Sequence, residues 1–171
     1  MIDQEKEQNS KYEFLKFIAD GMLGSLARKL RIYGFDVLYN AEILDENILA
    51  IAKNDNRIIL TSDRALHEKA ILNNLKSVLL SEDNDEDRMV NIFKRVGVRP
   101  ELNPINSRCP LCNGNIEEVD KDNVKNIPES VLKKHDHFYS CVVCGKIYWV
   151  GSHWLRLKKF SEKIIQRLRQ A

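Results

Sequence analysis

Phe14-Leu15-Lys16-Phe17-Ile18-Ala19-Asp20-Gly21-Met22-Leu23-Gly24 is the stretch that decides the fold. Its apolar run, residues 14–19, has the length of one buried strand and stops at a carboxylate. From Met22 the period changes. Met22, Leu23, Leu26, Ala27, Leu30 and Tyr33 form one stripe at helical spacing, with Arg28, Lys29 and Arg31 mainly off it, and Gly34 stops the helix. The unit then repeats. Residues 35–39 and 57–61 are further strands, the latter ending at Ser62-Asp63, and Asp45 precedes a helix carrying Ile48, Leu49, Ile51 and Ala52. Residues 64–74 are helical, 77–80 form a fourth strand, and 88–96 another amphipathic helix. Strands alternating with helices imply an α/β fold with a mainly parallel sheet covered on both faces. Right-handed crossovers then put every strand's C-terminal end on one edge, where sites of open α/β sheets gather.

Asp20 and Asp63 each stand immediately after an apolar strand, so both carboxylates are expected at that edge. Asp45, opening the helix after the second strand, can join them, with Glu46 as its near alternative. Carboxylates gathered at one locus repel one another unless a cation sits between them, and Mg²⁺ or Mn²⁺ prefers such hard oxygen ligands. The plainer alternatives are a helix N-cap for Asp45 and Asp20 and a turn-shaping role for Asp63. Asp36 begins a strand, faces the opposite edge and is structural. Within the acidic block Ser81-Glu82-Asp83-Asn84-Asp85-Glu86-Asp87, one carboxylate is a candidate to complete the site, and the rest suits a solvated loop and helix start.

The four cysteines of the chain form two pairs, Cys109-Pro110-Leu111-Cys112 and Cys141-Val142-Val143-Cys144-Gly145. Two such hairpins close one tetrahedral thiolate site for a structural Zn²⁺, with no coordination position left open for chemistry. Disulfides are the rival use. Strain across so short a loop disfavours them, as does the polar start of the chain, which carries no apolar targeting stretch and implies a reducing, cytoplasmic setting. His135, His137 and His153 are nearby substitutes as ligands, though surface histidines are the simpler reading. The 171 residues thus divide into a disordered leader (1–12), an α/β domain (13–103), a zinc ribbon (104–154) and a basic amphipathic helix (155–171). That last helix carries Arg156, Lys158, Lys159, Lys163, Arg167 and Arg169 against Glu162, with Leu157, Phe160, Ile164 and Leu168 on one side. It suits either a polyanionic partner or docking on the main domain. No apolar run approaches the roughly 18 residues that span a bilayer, so no membrane partner is expected.

Several stretches together resemble one family. Phe17-Ile18-Ala19-Asp20-Gly21-Met22-Leu23-Gly24, Leu26-Ala27-Arg28-Lys29-Leu30-Arg31 and Gly34-Phe35-Asp36-Val37 are similar to the PIN-like ribonuclease domain at the C-terminus of mut-seven exonucleases. Ile59-Leu60-Thr61-Ser62-Asp63-Arg64-Ala65-Leu66 resembles its second motif. Ser107 to Gly114, Cys141 to Cys144 and Tyr148 to Trp154 resemble its appended zinc ribbon. The resemblance implies a PIN-like fold and a Mg²⁺- or Mn²⁺-dependent ribonuclease, with motif aspartates at Asp20 and Asp63 and support from Asp45. Where the family continues with a glutamine-leucine pair, this chain has Asp87-Arg88-Met89. Arg28, Lys29, Arg64 and the basic tail are then expected to attract RNA phosphates, and Tyr148, Trp149 and Trp154 either stack bases or fill the ribbon's core. The alternative is a non-catalytic RNA- or ribosome-binding protein on the same scaffold.

Overall fold

A computed structural model of the chain describes residues 15–99 and 101–170. The expected leader, residues 1–12, lies outside the described residues. The first unit runs β1 (Lys16–Ala19), a 3-10 turn (Gly21–Leu23), α1 (Gly24–Ile32), β2 (Asp36–Tyr39), α2 (Asp45–Asp55), β3 (Ile58–Thr61), α3 (Arg64–Leu72), β4 (Ser77–Leu79) and α4 (Asp85–Val96). Its four strands are all parallel, in the order β2-β1-β3-β4.

Strand alternation divides the core. Phe17, Ala19, Val37, Ile58, Leu60 and Val78 face one side, against Leu26 and Leu30 of α1 and Met89, Ile92 and Phe93 of α4. Ile18 and Ile59 face the other, against Ile48 and Ala52 of α2 and Leu66 and Ala70 of α3. Burying each of these large side chains stabilises the fold by roughly 1.5–3 kcal/mol. The chain therefore leaves β1 toward one face and β3, its neighbour, toward the other. That divergence makes the C-terminal ends of β1 and β3 the topological switch point of the sheet, the place where open α/β sheets form their ligand crevices.

The second unit is an antiparallel sheet in the order β5-β6-β7, built from β5 (Ile116–Val119), β6 (Phe138–Cys141) and β7 (Ile147–Trp149), with a one-turn helix α5 (Glu129–Leu132) between β5 and β6. The final helix α6 (Ser152–Arg169) returns to the first unit, where Ile164 and Leu168 join the core beside Phe93 and Val90. Docking on the main domain is thus the fate of its apolar stripe. None of the helices among the described residues is long and apolar enough to cross a membrane.

Boundaries shift for local reasons. Met22 was expected in the buried stripe but is 83% exposed, because residues 21–23 wind as a 3-10 turn that rotates it outward. Arg31, expected mainly off the stripe, is buried. Asp45 is the first residue inside α2 rather than its cap, since Leu44 holds the cap position. The helix expected from Arg88 begins at Asp85, because the Asn84 side chain caps it through the Asp87 N–H.

Candidate active edge and cysteine centre

Asp20 follows β1 and extends its pairing with β3, donating its N–H to the Leu60 carbonyl at 3.0 Å. Its position depends on close backbone approach. A Cβ on Gly21 would lie 2.5 Å from the Ala41 carbonyl oxygen, and one on Gly24 would lie 2.5 Å from the Tyr39 hydroxyl. Tyr39 ties this packing together by donating to the Gly21 carbonyl at 3.0 Å. The glycines of Asp20-Gly21-Met22-Leu23-Gly24 are thus explained by the end of β2 and the loop after it lying against them.

Thr61, buried at the end of β3, joins the two aspartates. Its hydroxyl donates to Asp20 Oδ2 at 2.8 Å and accepts the Asp63 backbone N–H at 2.9 Å. Asp63 in turn caps α3, with Oδ1 accepting from the N–H of Ala65 at 2.6 Å and of Leu66 at 3.4 Å. The structural role expected of Asp63 was turn-shaping, and the one it fills is helix capping, the role expected instead of Asp20 and Asp45. Neither of those caps a helix through its side chain, and the cap engages one Asp63 oxygen only. Asp20 Oδ1 and Asp63 Oδ2 have no hydrogen-bond partner among the described residues, and the Ser62 hydroxyl between them in sequence is buried without one. Carboxylate and hydroxyl oxygens are hard donors, the chemistry that Mg²⁺- or Mn²⁺-type ions take.

The remaining candidates are placed differently. Asp45 opens α2, on the face of the sheet that α3 also covers, and pairs with Lys69 of α3 at 3.6 Å. Lys29 is held by Asp85 at 2.6 Å and bonds Ser25, and Arg88 reaches Asp85 at 3.5 Å. Burial works to raise the Asp85 carboxyl, but bonds from Lys29 and Ser25 outweigh it and hold it below the usual carboxylate range. Arg28 is exposed and donates to the Gly24 carbonyl of its own helix, while Arg64 is exposed at the start of α3. Asp36 lies at the opposite edge, paired with Arg57 at 2.8 Å and bonded by Asn113.

The four cysteine sulfurs lie within 4.8 Å of one another, and all four are free thiols. Cys109 and Cys144 are 3.7 Å apart, and Cys112 and Cys141 3.4 Å. Sulfurs about 2.3 Å from a tetrahedral zinc stand about 3.8 Å apart, so this donor set fits the ion. The two knuckles share one geometry. The residue after each second cysteine, Asn113 and Gly145, has positive φ (68° and 69°) and donates its N–H back to the first cysteine's carbonyl at 2.9 Å. Burial opposes ionisation of Cys109, but the Tyr148 hydroxyl and the N–H groups of Cys112 and Leu111 outweigh it and bring the thiol down to about 7. None of the nearby histidines belongs to the group. His137 pairs with Glu118, and His135 lies 6.5 Å from the Trp149 ring. Among the described residues these cysteines are the one set of three or more metal-ligating side chains close enough to share an ion.

Arg31 fastens this centre to the sheet. It donates to the carbonyls of Pro110 and Leu111 inside the first knuckle and twice to that of Val37. Neither Thr61 nor Arg31 was singled out from sequence. Thr61 shares strand parity with Ile59 beside an aspartate, which is a usable signal, whereas nothing in the spacing marks Arg31.

No curated protein and no solved structure matches the chain. One family does, over residues 15–161, a span that takes in β1, both cysteine pairs and the first half of α6. With the parallel sheet, the acidic switch point and the appended thiolate ribbon in place, the chain belongs to the Mut7-C RNAse domain family.

Proposed function

We propose that this protein is a divalent-metal-dependent ribonuclease that hydrolyses phosphodiester bonds of RNA at the C-terminal edge of its parallel sheet. The observation that carries the reading is the Thr61 hydroxyl, which holds the Asp20 carboxylate beside the Asp63 backbone at the switch point. Asp20, Asp63 and the Ser62 hydroxyl are the groups that would hold Mg²⁺ or Mn²⁺, with Asp45 in support once released from Lys69. A bound ion of this kind supplies water activation and neutralises charge on the phosphodiester. Thr61 orients Asp20, the α3 cap fixes Asp63, and Arg64 offers a cation to the phosphate beside them. The ribbon holds a structural zinc in a reducing cytoplasm and adds a second surface for RNA or ribosome contact.

One observation favours the non-catalytic, RNA- or ribosome-binding alternative. Asp45 and Asp85, the carboxylates available as third and fourth ligands, are bonded to Lys69 and Lys29. Mg²⁺ sites built from one or two carboxylates plus substrate phosphates are nevertheless common, so two aspartates suffice. Cleavage of defined RNAs with Mn²⁺, with Mg²⁺ and without either decides between the readings. Asp20→Asn and Asp63→Asn are each expected to lower cleavage at least about 100-fold. Asn caps helices as well as Asp, so Asp63→Asn keeps the α3 cap and separates chemistry from folding. Cleavage that persists in the double variant removes this site from consideration.

A further inference from the structure

The ribbon does not pack flush against the first unit. Where the two meet lies an apolar slot of about 130 Å³, lined by Ile32 of α1, by Tyr139, Tyr148 and Trp149 of the ribbon, and by His153 and Trp154 at the start of α6. Tyr139 and Tyr148 stand directly opposite each other on β6 and β7, so their rings share one face of the small sheet. The Tyr148 hydroxyl is fixed on Cys109 at 3.0 Å. Trp149, one residue on, turns its ring to the opposite face of the small sheet beside His135 and the Gly151 backbone, and borders the slot only from the end of β7. The walls are thus set in place before any ligand arrives. An apolar cavity of about 150 Å³ takes up a single benzene ring. This slot has room for one planar ring and not for a helix or strand of a protein partner.

Charge beside the slot names the ring. His153, Arg156, Lys159, Lys163 and Arg167 follow one another along α6 at steps of three and four residues, so they lie along one side of that helix. Arg156, Lys159 and Lys163 are exposed. At the far end Arg167 reaches Glu86 at 3.2 Å, and also Asp87, in the first turn of α4, on the acidic edge of the sheet. The 18 residues of α6 span about 27 Å, a distance of several nucleotides. From this arrangement we infer that the slot receives one unpaired nucleobase of an RNA strand, whose phosphates follow the basic side of α6 toward Asp20 and Asp63. The direction of the track rests on the ribonuclease reading of that edge, while binding in the slot stands without it. The site selects single strands, because a paired base cannot leave its stack to enter.

Both tryptophans of the chain line the slot, so intrinsic emission reports on it directly. The experiment titrates Asp63→Asn protein, without added Mg²⁺ or Mn²⁺, with a ten-nucleotide single-stranded RNA, the same sequence as a duplex, and a fully abasic ten-mer. The single strand is expected to quench emission, while the duplex and the abasic strand leave it unchanged. Trp154→Ala is expected to weaken single-strand binding roughly tenfold. Lys159→Glu with Lys163→Glu weakens intact and abasic strands alike and lowers the salt slope by about 1.4. The abasic ladder needs no substitution in the slot, so it tests the proposal even where Trp154→Ala fails to fold. An abasic strand that binds and quenches like the intact one overturns the slot, as does unaltered binding by folded Trp154→Ala. Quenching without Mn²⁺-dependent cleavage by the unsubstituted protein upholds the slot and sinks the ribonuclease reading, and cleavage without quenching does the reverse.

Discussion

At the residue scale, one hydroxyl serves two aspartates. Thr61 cannot be exchanged for its apolar isostere without taking the bonded partner from Asp20 Oδ2 and from the Asp63 N–H at this half-buried edge. Thr61→Val keeps the shape and removes the bridge. A displacement of about 1 Å at a reacting group costs about 100-fold in rate, so cleavage is expected to fall ten- to 100-fold while RNA affinity stays within a factor of two. Thr61→Ser restores the donor and most of the rate. The measurement is single-turnover cleavage in Mn²⁺ alongside equilibrium binding. A Thr61→Val protein that cleaves like the parent would show that the bridge only holds the fold.

At the scale of elements, β2 is an edge strand whose exposed side is closed by other parts of the chain. Val37 donates its N–H to the Asn113 side chain at 3.0 Å and accepts from Arg31, so no free edge remains at that residue. Asp36 anchors the strand's start. Burial works to raise its carboxyl, but bonds from Arg57 and Asn113 outweigh that and hold it below the usual range. A carboxyl depressed in the folded state adds stability above its unfolded pKa of about 3.9, and that stability is lost as pH falls through the folded value. Asp36→Asn is therefore expected to cost roughly 2 kcal/mol at neutral pH, through the buried Arg57 it leaves under-paired. The gap to the parent should narrow below about pH 4, which urea unfolding across pH 2–7 would follow. A constant gap would remove ionisation from the account. Much at this scale was legible in advance. Four apolar runs and four helical stretches gave the β-α alternation, and Asp36 at the start of a strand was placed at the edge opposite Asp20 and Asp63. The start of α4 was misjudged because Asn84 caps through a side chain that apolar spacing ignores. Arg31 was missed because all its partners are backbone carbonyls, two of them nearly 80 residues away, and no local pattern encodes those.

For the whole molecule, the ribbon and the sheet are fastened as one body. Arg31 bonds the first knuckle, Arg108 donates its N–H to the Arg31 carbonyl at 2.8 Å, the Ser107 hydroxyl donates to Ile32, and Asn113 bonds Asp36. Every one of these ribbon groups lies in or beside the knuckle that Cys109 and Cys112 close. A bound zinc is thus linked to folding of the entire chain, because its ligands hold the loop that seals β2. The sequence showed the cysteine spacing but not this connection, which depends on where the ribbon lands. Removing zinc with a strong chelator, or one ligand by Cys112→Ser, is expected to weaken the whole fold by several kcal/mol. At about 2–4 °C per kcal/mol, the melting temperature should drop by about 10 °C or more. The loss should show as one shifted transition in calorimetry, with β2 newly open to association between chains. A body that melts unchanged after zinc is stripped, with only a small separate ribbon transition lost, would mean that the two units fold independently and that the Arg31 contacts carry little of the stability.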